Sequence, residues 1–116
     1  MERLDLRSLK DLFGSDAMAE TRFLDVLLKT NLGDLVALRA LFASNSFRDA
    51  AACVHRIKGA AGIVKASGVV RACEAAEAAF RMGNKTAMAL AVEALCVALQ
   101  QLNEVISMEL RDLLDA

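Results

Sequence analysis

Apolar side chains recur along this chain at steps of three, four and seven residues, the spacing that places them on one face of an α-helix. After Ser15 and Asp16, the first long seam consists of Leu24, Leu27, Leu28, Leu35, Leu38 and Phe42. The next two seams consist of Phe47, Ala50, Val54, Ile57, Ala61 and Val64, and of Val70, Cys73, Ala76 or Glu77, and Phe80. The last seam is nearly a strict heptad and consists of Met88, Val92, Leu95, Leu99, Leu102, Ile106 and Leu113. We therefore predict four substantial amphipathic helices.

Polar and glycine-containing segments indicate where the helices begin and end. A short N-terminal helix is predicted from about Asp5, as its N-cap, to Phe13, with Gly14 as its stop. The long second helix is predicted to continue through Gly33 and to break at the segment ASNS, residues 43–46.

The third helix is predicted to begin at Ser46, because Ser46 and Asp49 form a Ser-x-x-Asp pattern that resembles a capping box. The predicted start and stop signals of the last two helices are Ser67 and Gly83, and Asn84 or Thr86 and Leu114.

Four amphipathic helices joined by short turns predict an all-α fold, an antiparallel four-helix bundle with a short extra N-terminal helix. Proline, the strongest interruption of a helix, is absent from the chain. The length of 116 residues suits one domain. We predict a single helical bundle domain over residues 1–116.

Composition and charge exclude several function classes. Apolar residues make up 56% of the chain and the formal net charge is −1, so a core is available and no polyanion-binding signature exists. The charged N-terminal segment lacks the apolar run of a signal peptide, and no stretch of about 18 apolar residues predicts a membrane span. We expect a cytoplasmic domain with no nucleic-acid partner and no membrane contact.

Three cysteines, Cys53, Cys73 and Cys96, are spaced 20 and 23 residues apart without a CxxC pair. An odd number at this spacing is typical of small buried side chains in a reducing compartment rather than of a disulfide framework. One histidine and three scattered cysteines do not match the spacing of a zinc site, so we predict no metal.

The most informative segment is CVHRIKGAAGIVKA, residues 53–66, which contains the only histidine, His55. The seam of this helix is centred near Ile57 and Ala61, and at about 100° per residue His55 lies roughly 130° away, on the solvent side. Gly59 and Gly62 lie on the same outer face as His55. We place Arg48 and Ala52 on that face as well, with Lys58 on its flank.

Two glycines beside an exposed histidine are a destabilising choice, since glycine in a helix interior costs roughly 1 kcal/mol relative to alanine. Close approach of another molecule to His55 explains them, because a missing Cβ leaves room for a partner. The alternative is that Gly59 and Gly62 allow tight packing between helices of the same chain.

A lone exposed histidine favours one chemistry, the acceptance and return of a phosphoryl group. No Ser-His-Asp or Cys-His arrangement is apparent, and a haem ligand would face the interior of a bundle. Between residues 48 and 71 five basic residues, Arg48, Arg56, Lys58, Lys65 and Arg71, accompany one acidic residue, Asp49. This local charge suits an added phosphate and an acidic partner; the alternative is an ordinary solvated face.

Two segments resemble one family. HRIKGAAG, residues 55–62, is similar to the H-x-[LI]-K-G-[SA]-[SA] signature of histidine-containing phosphotransfer (HPt) domains. ACEAAEAA, residues 72–79, is similar to the C-x-x-[LA]-E-x-A pattern on the following helix. The chain resembles the HPt modules at the C-termini of bacterial hybrid sensor histidine kinases.

The resemblance implies a phosphorelay role. His55 is expected to accept a phosphoryl group from an aspartate of a receiver domain and to pass it to an aspartate of another. Lys58 is expected to offset the phosphoryl charge, and Gly59 to leave clearance for the receiver. The expected partner-binding residues are Arg48, Ala52, Arg56, Gly62 and Lys65. Lys65 departs from the family, in which many members have glycine ten residues after the histidine.

The resemblance also implies a phosphocarrier that binds no ATP and is not an autonomous kinase. Its expected partners are response-regulator receiver domains, including one in a hybrid sensor kinase. The Mg²⁺ comes from the receiver, and no cofactor belongs to this chain. We expect a monomer, as a C-terminal domain of a membrane-bound sensor kinase. The alternatives are an adaptor bundle with an incidental surface histidine, and a dimeric phosphotransferase whose heptad from Met88 to Leu113 pairs between chains.

Overall fold

The computed structural model describes the backbone of residues 6–115 and the side chains of residues 9–115. Every regular element in this range is an α-helix. The five helices are α1 (Leu6–Phe13), α2 (Ala17–Ala43), α3 (Phe47–Ile63), α4 (Ser67–Met82) and α5 (Lys85–Asp115). The predicted all-α class is confirmed, and Asp5, the predicted N-cap of α1, lies outside the described residues.

The four long helices form a square in cross-section. α2 packs against α3 and α5, and α4 packs against the same two helices from the opposite corner. Turns of two or three residues join them, so consecutive helices are antiparallel. The bundle measures 47 × 21 × 21 Å. α1 packs against α2 at one end, where the rings of Phe13 and Phe23 have centroids 5.3 Å apart. The predicted bundle with an extra N-terminal helix is therefore confirmed.

The predicted seams of α2, α3 and α5 supply most of the buried core. The buried face of α4 differs from the predicted seam by a shift of one residue at its two ends. Its buried positions are Val69, Cys73, Ala76 and Ala79, whereas the predicted seam begins at Val70 and ends at Phe80. Phe80 is therefore only half-buried and packs with Phe42 and Phe47 at one end of the bundle, at centroid distances of 6.5 and 6.3 Å.

Two helix ends share an unusual backbone conformation. Asn45 follows α2 with φ of 60°, and Lys65 follows α3 with φ of 54°. At the second end the N–H of Lys65 donates to the carbonyl of Gly62, at 3.2 Å, and the N–H of Ala66 donates to that of Ala61, at 2.9 Å. This is the Schellman arrangement, whose left-handed residue is usually glycine. Lys65 therefore occupies a position that favours glycine for a backbone reason.

Two predicted helix starts differ from the structure in detail. Ser46 is the N-cap residue of α3, as predicted, but its hydroxyl lies 2.9 Å from that of Ser44 and makes no bond to the α3 backbone, so the predicted capping box does not form. Ser67 is the first residue of α4 rather than its cap, and Ala66 precedes it. In contrast, the carboxylate of Asp16 accepts a hydrogen bond from the N–H of Ala19 at 3.0 Å and caps α2, which follows Ser15 and Asp16 as predicted.

α5 combines length with high hydropathy. By length and composition alone it could cross a membrane, with a mean hydropathy of 1.4 over its most apolar stretch. Its seam lies in the bundle, however, where Leu95, Leu99 and Leu102 are buried as α5 packs against α2 and α4. These are the properties of a core helix.

The three cysteines are buried and unbridged. Burial raises the pKa of the Cys73 thiol to about 12. A thiol in this environment stays protonated at neutral pH and is a weak nucleophile. The cysteines therefore act as small apolar side chains of the core.

Candidate functional site

His55 lies in the middle of α3 and projects into solvent. Its side chain is 75% exposed. Its neighbours Val54 and Ile57 are fully buried, because residues one before and two after it on a helix turn toward the bundle. The predicted outward orientation of the histidine is the orientation that the structure has.

A carboxylate from the next helix lies between His55 and Lys58. Glu77 projects from α4, and its Oε1 accepts a hydrogen bond from Nζ of Lys58 at 2.9 Å. Its Oε2 lies 3.6 Å from Nδ1 of His55. One acidic side chain therefore positions both the imidazole and the cation across the α3–α4 contact.

The sequence predicts Glu77 only as an alternative core position of α4 and assigns it no role at the site. Two features of the sequence point to it: Glu77 is the glutamate of the C-x-x-[LA]-E-x-A pattern, and it is a charged residue at a position of the predicted apolar seam. The pairing itself depends on how α3 and α4 are rotated against each other, which the periodicity of a single helix does not specify.

The electrostatics of this trio follow from the short hydrogen bond. The bond from Lys58 holds the pKa of the Glu77 carboxyl below its ordinary 4.5, and the same bond raises the pKa of Lys58 above 10.5. Both groups are thus charged at neutral pH. A carboxylate facing Nδ1 of His55 favours the tautomer with its proton on that nitrogen, which leaves the lone pair on Nε2. That lone pair lies on the ring nitrogen farther from Glu77.

The two glycines leave bare backbone next to the imidazole. Gly59 and Gly62 are exposed, and a Cβ added at either would meet no atom within 4 Å. Since no other helix of the described chain lies against these two Cβ positions, tight packing between the described helices does not explain the glycines. Because glycine has no side chain, the outer face of α3 beside His55 is open to solvent.

A comparison with family models identifies the chain at this point. The model described as the Hpt domain matches residues 22–116. The chain belongs to the Hpt domain family. Both segments that carry the resemblance, residues 55–62 and 72–79, lie inside the match, while α1 lies before it. Comparisons with curated proteins and with solved structures gave no significant match.

Membership of the Hpt family implies histidine phosphotransfer in a phosphorelay. Hpt domains are phosphocarrier modules rather than kinases, and they interact with receiver domains. His55 is the only histidine in the chain.

The other predicted partner-binding residues of this Hpt domain are all exposed. Arg48 and Ala52 precede His55 on α3 by seven and three residues and share its outer face. Arg56 forms an ion pair with Asp34 of α2, at 3.6 Å between Nη2 and Oδ1, so it turns away from Glu77. Lys65 lies farther off, at the end of α3. The structure thus brings Lys58 and Glu77 to His55 and spreads the remaining cations along the helix.

Other chemistry has little support in the arrangement. Among the side chains of residues 9–115, no group of three His, Cys, Asp or Glu is close enough to hold a metal ion. Cys53, two residues before His55, is buried, and its thiol lies 3.6 Å from the backbone carbonyl of Asp34 in α2. A Cys-His pair is therefore not formed.

Proposed function

We propose that this Hpt domain is the intermediate of a bacterial two-component phosphorelay. It accepts a phosphoryl group on His55 from an aspartyl phosphate of one receiver domain and passes it to an aspartate of another. One observation carries the proposal: an exposed imidazole has Nδ1 facing the Glu77 carboxylate and has bare backbone on its own helix face.

The transfer is a displacement at phosphorus. The lone pair of His55 Nε2 attacks the phosphorus of the aspartyl phosphate, an N–P bond forms, and the P–O bond to the aspartate breaks, which releases its carboxylate. The proton on Nδ1 stays beside Glu77, and the return step is the same displacement in reverse. Mg²⁺ bound by the receiver supplies charge neutralisation at the phosphoryl oxygens. This chain contributes a positioned nucleophile and a docking surface.

The ammonium group of Lys58 can bond to Glu77 before phosphorylation and to the phosphoryl group afterwards. In the free domain its ammonium bonds to Glu77. A phosphoryl group on His55 brings further negative charge to the same turn of α3, and Lys58 is three residues away on that helix. We propose that Lys58 then turns to the phosphoryl oxygens and stabilises the phosphorylated form.

The wider setting is part of the same proposal. We propose a cytoplasmic, monomeric domain, attached as the C-terminal module of a sensor kinase, with receiver domains as its partners and no kinase activity of its own. A monomer is supported by the heptad of α5, whose residues Met88, Leu95 and Leu102 are buried within one chain and are not free to pair between chains. Sedimentation showing a dimer at low concentration would contradict this part.

The decisive experiment labels the domain with a phosphorylated receiver and tests for acid-labile, alkali-stable phosphate. His55→Gln should abolish the label without loss of helical content. The matched control is His55→Gln combined with Gln101→His, which moves the only imidazole to another exposed helix position. Neither variant should take label. Label that persists in His55→Gln would reject His55 as the acceptor, and an unmodified chain that takes no label would favour an adaptor role for the bundle.

A further inference from the structure

A groove lies beside His55, between the start of α3 and the end of α4. Its volume is about 370 Å³, and its lining residues are Phe47, Arg48, Ala51, Glu77, Phe80 and Arg81. Of these six residues, only Arg48 was predicted from the sequence to contact a partner. The groove is thus a feature that appears only when α3 and α4 are packed together.

The groove is continuous with the phosphotransfer site. Ala51 and Arg48 precede His55 by four and seven residues, so they lie on its face of α3, one and two turns away. Glu77 lines the groove, and its Oε2 lies 3.6 Å from Nδ1 of His55. A molecule that brings a phosphoryl group to Nε2 therefore stands next to this groove.

The floor of the groove is aromatic and the rim is cationic. Phe47 and Phe80 are half-buried, with ring centroids 6.3 Å apart and planes inclined at 50°. Arg48 and Arg81 are exposed, and the side chain of neither is paired with any residue of the described chain. The remaining charge, Glu77, is offset by Lys58 at 2.9 Å. The groove therefore presents apolar area with two uncompensated guanidinium groups.

We propose that this groove is the recognition subsite for the receiver domain, and that it takes an apolar side chain of the receiver whose neighbour is a carboxylate. The apolar side chain packs on Phe47 and Phe80 while the carboxylate bonds to Arg48 or Arg81. The inference rests on the proposed function, since it places the phosphoryl donor on this side of His55. It adds which receivers are accepted: those whose docking segment is apolar and acidic.

Two physical arguments favour such an occupant. Aromatic side chains and arginine are the residues enriched where interfaces are strongest, because they combine large contact area with directed hydrogen bonds. Uncompensated cations at the rim attract an acidic partner before contact and raise the association rate. Both effects suit a carrier that must bind one receiver quickly, release it and bind the next.

The first test reverses the rim charge. In Arg48→Glu/Arg81→Glu, transfer from the receiver that labels the unmodified chain should slow by about tenfold at low salt, and the deficit should shrink at high salt because exposed charges are screened. The control, Arg22→Glu/Arg111→Glu, changes net charge equally at exposed positions away from the groove. An equal loss in the control, or no loss in the rim variant, would overturn the proposal.

The second test fills the groove. Ala51→Leu adds a side chain at the lining, and Ala94→Leu adds the same side chain at an exposed position of α5. Only the first should slow transfer from the receiver, and this loss should persist at high salt, because it is steric. If the unmodified chain self-associates and Ala51→Leu lowers its apparent mass in solution, a second copy of the chain occupies the groove. That result would overturn the proposal.

A partner-free reaction separates this inference from the proposed function. Phosphoramidate can phosphorylate an accessible imidazole directly: the N–P bond to His55 forms and ammonia leaves. The groove variants should be labelled by phosphoramidate as fast as the unmodified chain, which would locate their defect in receiver docking. Equal slowing in this reaction would overturn the groove as a docking subsite. Failure of a phosphorylated receiver to label the unmodified chain would reject the proposed function, and the groove's role with it.

Discussion

The α3–α4 side and the α2–α5 side of this bundle treat polar groups in opposite ways. On the α3–α4 side, His55, Lys58 and Glu77 form a chain of contacts at the surface, beside two glycines. On the α2–α5 side, Asn31 and Asn103 are buried, and the amide of Asn31 donates to Oδ1 of Asn103 at 3.0 Å. The first set can be reached by a partner, whereas the second can only hold helices together.

Each side of the bundle contains residues that lower its stability: two helical glycines on the α3–α4 side and a buried asparagine pair on the α2–α5 side. Gly59 and Gly62 lower helix propensity where nothing packs on them, so they add nothing to the stability of the bundle. The asparagine pair also has a cost, since the Nδ2 of Asn103 is buried without a partner among the described residues. We infer that the two glycines give a partner access to His55, and that the asparagine pair fixes the register of α2 against α5.

The largest effect is expected from Gly59→Gln, which separates access from stability. A Cβ at this position meets no atom within 4 Å, so the gain in helix propensity should raise the free energy of unfolding by about 1 kcal/mol. Transfer from a receiver should slow by about a hundredfold, because displacing the reacting atoms by about 1 Å costs this much. Urea unfolding and single-turnover transfer measure the two quantities.

Gly33→Gln is the matched control for this substitution. Gly33 is also an exposed helical glycine with no atom within 4 Å of an added Cβ, but it lies on α2. It should give the same gain in stability and leave transfer unchanged. Transfer at the normal rate in Gly59→Gln, or an equal loss in Gly33→Gln, would contradict the idea that glycine clears a path to His55.

How far the sequence predicts this molecule depends on whether a feature belongs to one helix or to two. The seams of α2, α3 and α5 and the outward direction of His55 depend on the 3.6-residue period within one helix, and they are predicted correctly. The turned seam of α4, the position of Glu77 and the aromatic groove depend on the rotation of one helix against another. Periodicity carries no information on that rotation.

The predicted side-chain caps at Ser46 and Ser67 do not form, for a different reason. Both residues are of the type that caps helices, but short polar side chains near a turn have several competing partners. The hydroxyl of Ser46 pairs with that of Ser44 instead. The sequence shows that Lys65 stands where many family members have glycine. Only the structure explains the preference for glycine, because the backbone is left-handed at this position. The family's preference for glycine there is then a matter of conformation.

The next largest effect is expected on the buried side. Asn31→Leu removes the partner of the Asn103 amide and should lower the free energy of unfolding by about 1–2 kcal/mol, the cost of an unpaired buried polar group. Asn31→Leu/Asn103→Leu removes both groups and should be as stable as the unmodified chain or more so. Urea unfolding measures both, and neither variant should change transfer from a receiver. If the single variant proves as stable as the double, the pair does not act as a coupled unit.

A smaller gain is expected at the end of α3. Lys65→Gly relieves a left-handed backbone conformation that disfavours a side chain and should stabilise the domain by about 1 kcal/mol. Asn45→Gly, at the equivalent end of α2, is the control and should gain less, because asparagine tolerates this conformation. Urea unfolding compares the two. Transfer that slows in Lys65→Gly, despite higher stability, would show that the lysine contacts the receiver.

The smallest effect concerns pH and the Glu77 carboxylate. Its pKa is lower in the folded chain than its ordinary 4.5, chiefly because Lys58 donates a hydrogen bond to it. A group with a lowered pKa stabilises the fold at pH above 4.5, and that contribution is lost as pH falls through the folded value. The difference in stability between the unmodified chain and Glu77→Gln should therefore be present at neutral pH and shrink in acid. The difference should be small, because this ion pair lies at the surface of the bundle and is only partly buried.

A second readout of Glu77→Gln uses the fact that His55 is the only histidine. The ¹⁵N resonances of its imidazole should show the proton on Nδ1 in the unmodified chain, and a mixture of tautomers once the carboxylate at 3.6 Å is replaced by an amide. Glu104→Gln, at an exposed site on α5, is the control and should leave both the resonances and the pH profile unchanged. If Glu77→Gln also leaves the tautomer unchanged, the carboxylate serves Lys58 alone, and the orientation of the imidazole comes from α3 itself.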